Sequence, residues 1–262
     1  MNYKSILNLI GLLLAIFSFA FIPPLIVTFI YKEPLSEIFL YSFLFLISLG
    51  VLMWFISRQK GLPLNISDGF IITTMFWIVL ACAGSIPFYF FGLSFNDAIF
   101  ESVSGITTTG ATLIVGLDDL PKSLLLYRQL LQWIGGMGLI ILAVAVMQAL
   151  GIGGSQLYKM ELPGSHGNQK LTPKITDSAK ALWKIYFGLT LACALLYILS
   201  GMDIFDAIAH SLSTVAGGGF STHDKSIGFF DSGLIEAVCI IFMLLSAASF
   251  AVHYAAIFGG KP

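Results

Sequence analysis

The chain of 262 residues is 57% hydrophobic and only 10% charged, with a mean hydropathy of +0.92 and a net charge of −1. A soluble domain carries roughly 25% charged residues, so this composition excludes an ordinary globular protein, and the near-neutral balance offers no electrostatic footprint for nucleic acid. Several runs reach the roughly 20 apolar residues that a spanning helix needs, which predicts an all-α polytopic membrane protein.

The first span is expected over residues 6–30, with Pro23 and Pro24 near its far end removing two backbone donors and kinking or breaking the helix. It is longer than a signal-peptide core and lacks a small-residue cleavage pattern, so it reads as a retained helix. A second span follows over residues 37–57, and a polar loop over 58–67. Ser67 or Asp68 offers an N-cap for a third span that ends near Phe91.

Between the third span and a fourth over residues 124–150 lies DAIFESVSGITTTGAT, Asp97–Thr112. A second copy, DAIAHSLSTVAGGGFS, begins 109 residues later at Asp206, between a fifth span over 177–200 and a sixth over 232–258. The offset also places Gly92 over Gly201 and Ile66-Ser67-Asp68 over Ile175-Thr176-Asp177. The expected divisions are therefore a leading helix pair (1–65), a first unit (66–150), a cytoplasmic loop (151–174) and a second unit (175–262). Each unit holds two spans, so the two repeats run parallel.

A run of about 10 residues is too short to span but long enough to reach mid-membrane at about 1.5 Å per residue. Asp97 and Asp206 suit the start of such a re-entrant helix, and its far end carries a partial negative charge that favours a cation. The loop that returns must line a watery or ion-filled cavity, because unpaired backbone is tolerated at that depth nowhere else. Gly110 in the first loop, and Gly217, Gly218 and Gly219 in the second, allow the φ values that turn successive carbonyls to one side. Thr107, Thr108 and Thr109 add hydroxyl oxygens. Uncharged oxygen ligands suit a monovalent cation better than calcium or magnesium. The competing use of such runs is close helix packing. That is the expected role of Gly135, Gly136 and Gly138, which lie inside a full span.

Glu101 and His210 occupy matched positions in the two short helices and are expected to be buried behind the loops, tied to hydroxyls, rather than to relay protons. Arg128 reads as an anchor at the outer start of the fourth span. Cys82, Cys193 and Cys239 read as buried small hydrophobes, since neither disulfide nor zinc spacing is present. Gly151–Gly154 lacks the GK[ST] ending of a phosphate loop. No HExxH, GxSxG or intramembrane aspartyl pair suggests an enzyme. With the N-terminus inside, the cytoplasmic segments hold nine Lys and Arg residues and the outer ones four, which predicts both termini of this segment in the cytoplasm. Asp118, Asp119, Asp203, Asp206, Asp224 and Asp231 would then lie outside, either as an acidic vestibule that concentrates cations or as ordinary solvated loops.

TTTGAT after a short helix, YRQLLQWIGGMGLIILAVAVM, LYKMELPG and GGGFSTHD together resemble the TrkH/TrkG type of bacterial potassium-uptake protein, within the superfamily that includes KtrB and HKT. The resemblance covers essentially the whole chain, and the leading helix pair favours TrkH over KtrB. It implies a potassium-channel-like architecture of four unlike units, each helix, pore helix, filter loop and helix, around one pore. Six spanning helices and two re-entrant pore helices are then expected here. The filter implied is Thr108, Thr109 and Gly110 in the first unit and Gly217, Gly218 and Gly219 in the second, where the absence of threonines leaves backbone alone. It further implies K⁺ as the bound and transported ion, no covalent cofactor, a bacterial inner-membrane location and a homodimer. A cytosolic TrkA-like nucleotide-binding ring is the implied regulator, with residues 151–175 as candidate contact. Only two units are present, so the expectation is the N-terminal half of a longer protein rather than two chains around one axis. A membrane scaffold with vestigial loops is the competing function.

Overall fold

The computed structural model describes residues 3–58, 66–150, 175–248 and His253. Residues 151–174, which include the proposed cytoplasmic contact and the loose phosphate-loop pattern, lie outside the described residues, as does most of the sixth span beyond Ala248.

Within the described residues the chain is helical: α1 (Tyr3–Ser18), α2 (Ile22–Tyr31), α3 (Ser36–Ser57), α4 (Ile66–Phe91), α5 (Phe95–Ile106), α6 (Lys122–Leu150), α7 (Ile175–Leu199), α8 (Ile204–Ala216) and α9 (Gly233–Ala247). Among the described residues, four stretches are long and apolar enough to cross a membrane: Tyr3–Tyr31, Ser36–Ser57, Asp68–Phe91 and Leu182–Leu199. The prolines act one turn earlier than their own positions. Pro23 cannot donate to the Phe19 carbonyl; Ile22 bonds it instead, and Phe19–Phe21 tighten into a 3-10 turn between α1 and α2.

Apolar side chains facing lipid gain nothing by leaving it, so close approach of backbones and polar ties must hold such helices together. The crossing of α1 and α3 shows this. A Cβ on Gly11 would stand 2.8 Å from the Gly50 carbonyl oxygen, and one on Gly50 2.7 Å from that of Gly11. The Asn8 amide donates across the same crossing to the Trp54 carbonyl at 2.9 Å. The outward face of α3 stays apolar and open, with Phe45, Phe55 and Ile56 all more than half exposed.

The leading pair also braces α6. Both carboxylate oxygens of Glu33 accept from the free N–H groups at its start, those of Lys122 (2.6 Å) and Ser123 (3.1 Å). Phe21, Phe39 and Phe88 enclose the Tyr127 ring at centroid distances of 5.6, 5.6 and 5.2 Å. The Tyr127 hydroxyl donates to the Gly84 carbonyl at 2.8 Å. These contacts fix the rotation of α6, and with it the direction of the neighbouring Arg128.

The order long helix, short helix, loop, helix occurs twice, and α6 is wedged between the two short helices. Gly135 meets the end of α5: a Cβ there would lie 1.9 Å from the Ile106 carbonyl oxygen. Gly136 meets the end of α8: its Cβ would lie 3.3 Å from that of Ala216. Close packing is thus the role of this pair, whereas a Cβ on Gly138 would meet the Phe76 and Trp77 rings at an ordinary 3.5 and 3.8 Å. Of the three cysteines, Cys193 is buried, Cys239 is half-buried and Cys82 is exposed, so the expectation of burial holds for Cys193 and fails for Cys82.

Candidate functional site

The short helices begin one turn before the aspartates assigned to their starts. Ser94 caps α5, its Oγ accepting from the Asp97 N–H, and Asp203 caps α8, accepting from the Phe205 N–H. Ser94 and Asp203 are themselves 109 residues apart. Asp97 and Asp206 sit in the first turn, where their charge still suits the helix dipole. Ser94 Oγ also donates to Asp97 Oδ2 at 2.7 Å, so one hydroxyl holds both the N–H and the carboxylate of Asp97. At 12 and 13 residues, the helices are about 18–20 Å long, too short to cross a bilayer core of about 30 Å.

Beyond the helices the two loops follow the same path bond for bond. Thr108 N–H donates to the Gly105 carbonyl at 3.0 Å, and Gly217 N–H to that of Thr214 at 3.1 Å. Thr109 N–H donates to Ser104 at 2.9 Å, and Gly218 N–H to Ser213 at 3.0 Å. The left-handed conformation recurs at the same steps: φ is 55° at Thr108 and 68° at Gly217, then 78° at Gly110 and 80° at Gly219. Thr108 adopts without glycine a conformation that costs an L-residue about 1–2 kcal/mol.

The loops touch. A Cβ on Gly110 would stand 2.0 Å from the Gly218 carbonyl oxygen, so only glycine fits there. Gly218 itself is buried against Gln132, while Gly217 and Gly219 are exposed. The threonines are less free than their number suggests. Thr107 Oγ1 donates to the Val103 carbonyl and meets Thr109 Oγ1 at 2.7 Å. With its proton so committed, Thr107 accepts from Thr109.

Behind the loops lie the buried groups. Glu101 is fully buried, and its Oε1 accepts from the Thr112 hydroxyl and from the N–H groups of Leu113 and Ile114. His210, at the matched position, bonds Ser221 Oγ at 3.0 Å, and Ser221 is the match of Thr112. The other ring nitrogen, Nδ1, faces the Asp206 carbonyl at 2.9 Å and must donate to it. A neutral His210 therefore accepts from Ser221 through Nε2. Both residues are tied to hydroxyls behind the loops, as expected.

Arg128 overturns its expectation. It is no surface anchor but fully buried, and its Nε lies 3.4 Å from Glu101 Oε2. Its Nη2 donates to Thr112 Oγ1 at 2.8 Å and its Nη1 to the Ser221 carbonyl at 3.3 Å. The guanidinium lies 4.3 Å over the Phe220 ring. A turn along the same helix, Gln132 Oε1 accepts from Ser213 Oγ (2.8 Å) and the Phe220 N–H (3.1 Å). The signal for Arg128 was present in the sequence: opposite charges inside apolar helices pair with each other. Gln132 gave no comparable signal, since nothing local reports a partner 81 residues away.

On the side where the short helices begin, a second tie joins the two units. His223 lies flat on Phe229, ring centroids 3.5 Å apart, with Nδ1 on Asp118 and Nε2 on Asp206. Asp224 accepts from the N–H groups of Gly116 (3.0 Å) and Leu117 (3.1 Å). Of the six aspartates read as vestibule or solvated loop, Asp118, Asp203, Asp206 and Asp224 are thus engaged in caps and cross-ties. The hydrogen bond from His223 is the main influence holding the Asp118 carboxyl below its ordinary value of 3.8. A carboxyl so depressed stabilises the folded arrangement above its unfolded pKa, and that contribution is lost as pH falls through the lower, folded value. Acidification below about pH 4 is accordingly expected to loosen the segments around 116–120 and 223–231. Hydrogen exchange in membrane vesicles across this range checks it. Asp118→Asn should remove the pH dependence, and a tie unchanged down to pH 2 would contradict it.

Comparison with known proteins bears on what this arrangement serves. The family model for TrkH, described as a cation transport protein, matches residues 35–260. The Trk system potassium uptake protein TrkH of Vibrio parahaemolyticus is 50% identical over 99% of the chain, and that of Escherichia coli K12 46% identical over 99%. Escherichia coli TrkG is 44% identical over 97%. The crystal structure of the potassium transporter TrkH from Vibrio parahaemolyticus superposes with a TM-score of 0.85 at 48% identity, over 99% of this chain and 53% of that one. The chain spans about half the length of these curated relatives, 54% of the two TrkH proteins and 53% of TrkG.

Proposed function

The chain belongs to the TrkH family of cation transport proteins, and on that footing we propose that its two loops are two quarters of a selectivity filter through which K⁺ is taken up. Carbonyls of Thr108, Thr109 and Gly110, and of Gly217, Gly218 and Gly219, replace the hydration shell of the ion at the axis. The observation that carries the reading is the matched backbone: left-handed φ at 108 and 110 and again at 217 and 219, each at the end of a short helix. Those helix ends direct partial negative charge toward the same region.

In this reading α4 to α6 form one unit and α7 to α9 a second, and residues 1–65 are a brace outside the pore. On the same reading the chain makes six spans and two re-entrant pore helices, which the two short helices of 12 and 13 residues support. Two further units complete the ring, so the chain is the N-terminal half of the working transporter. The excess of Lys and Arg on one side supports a bacterial inner-membrane location with both ends of the segment on the cytoplasmic face. Names of the relatives support K⁺ as the ion. A homodimer and a TrkA-like regulatory ring belong to the same proposal.

The test is Rb⁺ uptake by the complete transporter carrying Gly110→Ser or Gly219→Ser. Both force a side chain onto left-handed backbone, at about 1–2 kcal/mol, and Gly110→Ser adds the clash with Gly218. Both are expected to reduce the preference for Rb⁺ over Na⁺, by roughly tenfold or more at Gly110. Unchanged flux and selectivity in both variants would sink the filter assignment.

A further inference from the structure

The two units are unequal in one respect that their repeat does not explain. An offset of 109 carries Glu101 onto His210 and Arg128 onto Ala237, so the matched positions of the second unit do not repeat this buried ion pair. Yet Arg128 does not serve the first unit alone. One edge of its guanidinium meets Glu101 of α5, Nη2 takes the Thr112 hydroxyl just after the first loop, and Nη1 takes the Ser221 carbonyl just after the second. Its face covers Phe220, the residue that follows Gly219.

Resting on the filter reading, we propose that Arg128 is the positioning residue that sets the spacing of the two filter loops, and so the discrimination between K⁺ and Na⁺. The guanidinium is rigid and planar, and its donors leave in fixed directions. It therefore links three backbone segments at fixed separations, which a pair of independent hydrogen bonds would not do. Glu101 compensates the charge and accepts from the Leu113 and Ile114 N–H groups, extending the same framework along the first loop's outgoing strand of chain. In the second unit His210 stands behind Ser221 without a carboxylate, and the charge arrives from across the boundary at the same residue's carbonyl. Arg128 acts through the loops.

A residue that only stabilised the fold would change the amount of protein and leave ion preference alone. The experiment therefore reads Na⁺ competition against Rb⁺ uptake in the complete transporter, per molecule in the membrane. Arg128→Lys keeps the charge beside Glu101 but cannot hold Thr112 and Ser221 together. Thr112→Val keeps the ion pair and deletes the hydroxyl between them, with almost no change in side-chain shape, at a residue that is exposed. Each is expected to lower the preference for Rb⁺ over Na⁺ by about tenfold, the scale of one charge-assisted hydrogen bond. If Arg128→Lys fails to accumulate, Thr112→Val decides alone. Wild-type preference in Thr112→Val, or in an accumulated Arg128→Lys, overturns the proposal. Should Gly110→Ser or Gly219→Ser alter preference while these two do not, the Arg128 proposal fails and the filter stands; should none of the four alter it, the filter reading itself fails.

Discussion

Gly135→Ala is expected to keep the protein from accumulating in the membrane. The added Cβ would stand 1.9 Å from the Ile106 carbonyl oxygen and 2.6 Å from its carbonyl carbon. Both are backbone atoms, so no side-chain tip can swing aside. Helix α6 would have to retreat from the end of α5 by about 1 Å or more to restore ordinary contact. That retreat also draws Arg128 and Gln132, on the same helix, away from both loops. Overpacking costs about 1–3 kcal/mol where side chains yield, and the upper end or more is expected here. The control is Gly138→Ala, on the same helix and with only ring atoms at 3.5 Å, which should be near neutral. Membrane abundance and thermal unfolding in detergent of the two variants check the contrast, and equal behaviour would contradict it.

Glu101→Ala should be damaging for a different reason. It leaves the Arg128 guanidinium buried without its counter-charge and frees the Thr112 hydroxyl and the Leu113 N–H from their acceptor. Breaking a buried pair from one side costs about 3–5 kcal/mol, while removing both charges together costs far less. The double variant Glu101→Gln with Arg128→Gln is therefore expected to accumulate where Glu101→Ala does not. Its ion preference should nevertheless stay impaired, because the ties to Thr112 and Ser221 are gone. Quantitative membrane blots with Na⁺-competition assays separate the two effects. A double variant no more abundant than Glu101→Ala would contradict the role of the unpaired charge.

These expectations show how unevenly the site was legible. The loops were readable because their signals are local. Thr/Gly composition, a short apolar helix and a repeat of 109 residues point to Gly110 and Gly219, and both take the left-handed backbone. The caps were equally local yet misplaced by one turn, since Asp97 and Asp206 drew attention from Ser94 and Asp203. The threonine run offered three hydroxyl oxygens, but those of Thr107 and Thr109 bond each other. That pairing depends on the turn the backbone takes after α5, which composition does not encode.

By itself the sequence determined a membrane-embedded helical chain, its family, its internal repeat and the glycines on which the loops turn. Each follows from runs, spacings or residue types within a few dozen positions. Only the tertiary structure decided what stands behind those loops. Arg128 and Ser221 are 93 residues apart, Gln132 and Ser213 81, and His223 and Asp118 105. A buried charge in a low-dielectric interior must find a partner, but sequence says only that it must, not which one. The wedge of α6 between α5 and α8, opened by Gly135 and Gly136, makes that choice by bringing both loops within reach of one guanidinium.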